Sequence, residues 1–76
     1  MKPYSDINGD SGVAAYEYSA SSIRVQFKHG GTYEYQASGI GASNLNTMKR
    51  RADSGDGLNE FINTHPEVKN GCSSKF

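Results

Sequence analysis

Asp6, Asn8, Asp10, Val13 and Glu17 fall at positions 1, 3, 5, 8 and 12 of an EF-hand loop. That is the spacing at which oxygen ligands wrap a calcium ion and a bidentate carboxylate closes the shell. Three features oppose calcium. Ser11 stands at position 6, where the sharp turn wants glycine, and only five residues precede Asp6, too few for an entering helix. Glu17 also lies in an alternating, strand-like run. The segment therefore reads as an asparagine- and glycine-rich turn leading into a strand, and neither a metal nor another cofactor is expected. His29 and His65 have no cysteine or carboxylate at metal-ligand spacing, and Cys72 sits in a polar tail with no activating neighbour. Ser21, Ser22 and Ser43 read as turn or cap residues. No acid, base and nucleophile come together, so the chain is not expected to be an enzyme.

Binding residues are the remaining candidates. Lys49, Arg50 and Arg51 form the one basic run, and Tyr33 and Tyr35 flank Glu34 in "GGTYEYQ". Cations contact phosphates and aromatic rings stack on bases, so together these features suggest a nucleic-acid surface. Each also has a structural use. Basic side chains in a last helical turn complement the carbonyl end of the dipole, and tyrosines on an alternating strand can be core. Only 34% of the 76 residues are hydrophobic, and a domain this small buries only about 60% of its unfolded surface. Nearly every large apolar side chain is then needed inside, so the Tyr33 and Tyr35 rings are expected in the core with their hydroxyls at a wet rim. Eight Lys plus Arg balance eight Asp plus Glu, so there is no net field, and phosphate contact has to rest on a local patch. The candidate patch is Arg24, Lys28, Lys49, Arg50 and Arg51, with Tyr33 and Tyr35 contributing at its rim.

The elements that would carry these residues follow from periodicity. In "VAAYEYS", Ala14, Tyr16 and Tyr18 oppose Val13, Ala15 and Glu17. In "SIRVQFK", Ile23, Val25 and Phe27 oppose Arg24, Gln26 and Lys28; in "TYEYQA", Tyr33, Tyr35 and Ala37 oppose Thr32, Glu34 and Gln36. Hairpin parity has to bring these apolar faces together, since a slip of one residue reverses every side chain. Tyr18 is expected opposite Ile23 across "SASS". Phe27 is expected opposite Tyr33 across a three-residue turn, His29-Gly30-Gly31, whose last position is left-handed. Arg24 or Lys28 can then pair with Glu34 or Glu17 on the polar face.

Two helical patterns follow. Ser43 is a candidate N-cap, Leu45, Met48 and Ala52 form a stripe, and Gly55 ends the first helix. Asp56 is a candidate N-cap for the second, with Leu58, Phe61 and Ile62 facing inward and Pro66 stopping it. The expected fold is α+β: a three-stranded antiparallel meander followed by two short helices packed on one face. Residues 12–68 make the domain, with a flexible segment at 1–11 and a flexible tail at 69–76.

The run "SGVAAYEYSASSIRVQFKHGGTYEYQ" with "RADSGDGLNEFIN" resembles the KTSC domain, a short module that occurs alone in bacteria and at the C-terminus of some lysyl-tRNA synthetases. The similarity covers about residues 11 to 62. It rests on the Y-x-Y motif at Tyr33-Glu34-Tyr35, on Val25, Phe27 and Gly30 at the spacing V-x-F-x-x-G, on Tyr18, and on the small residues Ala52 and Ser54. The resemblance implies RNA binding, through the association with a tRNA synthetase, and no catalytic residue. The expected function is thus a non-enzymatic module that binds RNA or another nucleic acid. The alternative is a protein-interaction module using the polar sheet face or an exposed edge strand. No long apolar run or charged-then-apolar leader is evident, so a cytoplasmic protein without a membrane partner is expected.

Overall fold

Three alternating runs joined by short loops can only pair with their neighbours in sequence, and the sheet is a meander for that reason. The computed structural model describes residues 1–7, 9 and 12–76. Its strands are β1 (Lys2–Pro3), β2 (Val13–Tyr18), β3 (Ser22–Phe27), β4 (Thr32–Gln36) and β5 (Ser74–Lys75), hydrogen-bonded in that order with every pair antiparallel. The helices are α1 (Ala37–Ile40), α2 (Ala42–Ser54), α3 (Leu58–Thr64) and α4 (Pro66–Lys69).

The α+β class and the antiparallel sheet agree with the sequence, but the sheet has five strands among the described residues, not three. The two extra strands come from the terminal segments expected to be flexible. Each is two residues long, too short for any periodicity to show. The β1 edge is tied down by Tyr4, which is 6% exposed and donates its backbone N–H to Ala14 O at 3.0 Å. At the other edge, Phe76 N–H donates to Thr32 O at 2.7 Å and Thr32 N–H donates back to Phe76 O at 3.2 Å.

Tyr18 lies opposite Ile23 as expected. The second hairpin differs: Val25, not Phe27, opposes Tyr33, and Ile23 opposes Tyr35. The register moves by two residues, which keeps every side chain on its expected face. The loop becomes Lys28-His29-Gly30, closed by Phe27 N–H donating to Gly31 O at 3.2 Å, and neither glycine is left-handed. Gly31 is drawn into the ladder because the chain end lies against it. A Cβ at Gly31 would stand 2.6 Å from Phe76 O.

A bulge between Val13 and Ala15 breaks the alternation of β2. Val13 is therefore fully buried with Tyr16, although strict alternation puts the two on opposite faces. The core also takes Ile23, Val25 and Tyr35 from the sheet. From the helices come Leu45, Met48 and Ala52 of α2, Leu58, Phe61 and Ile62 of α3, and the single-turn contributions Ile40 and Val68. All these helical residues pack on one sheet face.

The caps depart from expectation. α2 starts after Gly41 and α3 after Gly57, neither with a side-chain cap, so Ser43 and Asp56 do not fill that role. Instead Leu58 N–H donates to the Tyr4 hydroxyl at 3.3 Å, tying the start of α3 to the N-terminal segment. Gly55 ends α2 as expected, with φ 74°. A Cβ there would meet Ser5 Cβ at 2.5 Å. Gly55→Ala is expected to lower stability by about 1–3 kcal/mol through left-handed strain and this close approach. An unchanged denaturation midpoint would show that the segment before Ile7 moves aside freely.

Candidate functional site

A groove of about 320 Å³ opens where the β3–β4 hairpin meets α3 and α4. Tyr35, 1% exposed, and Ile62, 3% exposed, form its deep side. Phe27 and Tyr33, both half-buried, make an aromatic wall with rings edge to face at 5.5 Å between centroids and 71° between planes. Strand alternation explains this pairing, since Tyr33 and Tyr35 project to the helix side together with Phe27.

The groove's polar groups come from three further elements. Asn59 and Asn63 lie four residues apart on α3 and line it together, while His29 and Lys69 approach from the hairpin tip and from α4. Neither asparagine side chain has a hydrogen-bond partner among the described residues. Lys75 pairs with Tyr33 across β4 and β5, and so projects to the same side, with its Nζ 5.4 Å from the ring centroid. The described lining includes no Asp or Glu.

The seven residues expected to form one surface are not brought together. Tyr35 is core and Tyr33 borders the groove, but the cations are spread over three places. Arg24 points to the sheet face that carries no helix, where its Nε donates to Glu34 Oε1 at 2.8 Å and its guanidinium lies 4.4 Å from the Phe76 ring centroid. The Arg24 guanidinium, helped by Gln36 and Ser73, holds the Glu34 carboxyl below the usual carboxylate range. Lys28 pairs with Asp6 at 3.0 Å. On α2, Lys49 donates to Ala20 O at 3.1 Å over the Tyr18 ring, Arg50 donates to Thr47 Oγ1 at 3.2 Å, and Arg51 lies over the Phe61 ring at 5.5 Å. All three α2 cations are thus engaged in local contacts.

Sequence reasoning missed Asn59, Asn63, Lys69, Lys75 and Asp53. The spacing of the two asparagines was visible as one helical face, but nothing local marked that face as lining a groove. Asp53 organises the opposite rim of the helix side. Tyr16 donates its hydroxyl to Asp53 Oδ1 at 2.8 Å and Tyr18 donates to Oδ2 at 2.6 Å, while the two rings stack at 6.2 Å. The Tyr18 and Tyr16 hydroxyls hold the Asp53 carboxyl below its ordinary range. Burial, reinforced by Asp53, pushes the Tyr16 phenol up to about 12, and burial does the same to Tyr35.

The calcium-like turn rests on Asn8, Asp10 and Ser11, which lie outside the described residues. Among the described residues no group of three or more His, Cys, Asp or Glu side chains could hold a metal ion, and no helix is long and apolar enough to cross a membrane. No family model, curated protein or solved structure matches the chain.

Raised phenol values in the folded state mean that folding favours the protonated tyrosines. Their stabilisation is complete below pH 10 and is lost as pH climbs from 10 towards about 12. Denaturant midpoints are expected to hold through neutral pH and fall across that window. Tyr16→Phe should lower the neutral-pH stability by about 1 kcal/mol, through the lost hydrogen bond, and make the alkaline fall shallower. An identical alkaline profile in the variant would remove Tyr16 from the account.

Proposed function

We propose that the chain is a small non-enzymatic binding module of the KTSC kind, and that its ligand is single-stranded RNA or a similar nucleic acid. One base seats in the groove beside Tyr33 and Phe27, and Lys69 and Lys75 meet neighbouring phosphates. The observation that carries this reading is the groove's composition. An aromatic wall, two carboxamides with no hydrogen-bond partner among the described residues, and Lys69 share a space of about 320 Å³, Lys75 lies over the Tyr33 ring, and the described lining has no carboxylate. Such a space is at the lower end of small-ligand sites and suits a base better than a folded partner. Lining groups of this kind bind, and they include no nucleophile set against a general base. The site is therefore placed away from Arg24, Lys28 and Arg51, which are engaged elsewhere.

A mixed-sequence hexaribonucleotide titrated into isotope-labelled protein tests the proposal. Amide shifts are expected at 27–35, 59–63 and 69. Two phosphate contacts should weaken binding about sevenfold between about 50 and 200 mM salt. Tyr33→Leu should weaken it by about tenfold to a hundredfold, from the lost stacking. Arg24→Ala and Arg50→Ala should leave it unchanged. Shifts confined to Lys49, Arg50 and Arg51, or binding indifferent to salt, would refute the placement.

The alternative, a protein-interaction module, draws support from the uncovered sheet face, where Arg24 is held between Glu34 and Phe76. Its edge-strand version is weaker, because β1 and β5 are two residues long and Pro3 offers no N–H. Capture of a protein from nuclease-treated lysate that disappears in Arg24→Glu would favour the face. Retention in that variant would exclude it.

A further inference from the structure

Stacking on Tyr33 is indifferent to base identity, because every base has a π face. Discrimination needs hydrogen-bonding groups, and the groove has two on one helix. Asn59 is half-buried, with its carboxamide nitrogen and oxygen each 3.6 Å from the position a Cβ would take on Gly12, so it lines the wall where the chain enters β2. Asn63 is exposed and stands one turn further along α3. Side chains four apart on a helix lie about 6 Å from each other at Cβ. Each carboxamide offers two N–H donors and one acceptor oxygen, and neither is bonded to another described residue.

We infer that Asn59 and Asn63 make the groove selective for purine over pyrimidine bases, an inference that rests on the base-binding proposal above. A purine carries hydrogen-bonding atoms on two adjoining edges of a fused double ring. It can lie against Tyr33 and present one edge to each carboxamide. A pyrimidine on the same platform is a single ring, so it engages one amide and leaves the other without a partner. A site built to bond two polar edges discriminates against a ligand that offers one. The larger ring also covers more of the Phe27 and Tyr33 wall. Lys69 and Lys75 then hold the backbone and carry no base information, since phosphate contacts position while base contacts specify.

The test compares three oligonucleotides: a uridine hexamer, and the same hexamer with a single central adenosine or a single central guanosine. Using one purine per strand avoids the self-stacking of purine runs. Either purine-bearing strand is expected to bind about tenfold more tightly than the uridine hexamer, the difference of one or two hydrogen bonds. Asn63→Leu should reduce that ratio to about twofold or less, because it weakens the purine-bearing strands more than the uridine hexamer, and Asn63→Gln should restore part of the ratio. Asn59→Ala should act in the same direction. Asn63 is exposed, so its variants keep the fold, which an unchanged thermal midpoint verifies. If all three strands bind equally and all depend on Tyr33, purine selectivity is overturned and the base-binding proposal stands. If the preference survives in both Asn63→Leu and Asn59→Ala, stacking alone produces it and the carboxamide role is overturned. If no strand shows Tyr33-dependent binding, both proposals fall.

Discussion

Tyrosine provides much of the ring area that this chain lacks in aliphatic side chains, and three of the five tyrosines bring their hydroxyls to a polar partner at the edge of the core. Tyr4 accepts the Leu58 N–H, which anchors the start of α3 to the N-terminal segment. Tyr16 and Tyr18 share Asp53, which locks β2 to the end of α2. These three phenols lie along the perimeter of the core, and through them the helical layer is registered on the sheet. Aliphatic side chains would have packed without fixing these pairings.

A single apolar sheet face is the second consequence of scarce apolar residues. All buried helical side chains collect on that face, and the other presents Arg24, Glu34, Gln26 and Thr32. Where the helical layer meets the hairpin end, Phe27 and Tyr33 are left half-covered beside the amide-bearing side of α3. The groove is therefore part of the core boundary. Its aromatic wall stabilises the fold and is also the surface on which a base is proposed to stack, so a binding variant at Tyr33 has to be judged against its effect on stability.

The electrostatics follow a similar economy. Net charge is zero, and most cations are tied down locally: Arg24 by Glu34, Lys28 by Asp6, Lys49 by a backbone carbonyl. Contacts of this kind near the surface add little to stability. What matters more is that they leave Lys69 and Lys75, which form no ion pair with a described residue, beside Tyr33.

Alternation at Ile23-Val25-Phe27 and Tyr33-Tyr35, the stripes Leu45-Met48-Ala52 and Leu58-Phe61-Ile62, the stop at Gly55 and the pairing of Tyr18 with Ile23 were all determined by the sequence. Each is a local preference or a parity rule acting over a few residues. Tertiary structure alone decided the rest. The bulge that buries Val13, the two-residue shift that set Val25 against Tyr33, the short edge strands, the Asp53 clamp, and the meeting of Asn59, Asn63, Lys69 and Lys75 at one groove all depend on residues far apart in the chain. Periodicity carries no information about which distant backbone will lie against Gly31 or which helix face will border Tyr33, because those choices are made by packing after the local elements exist.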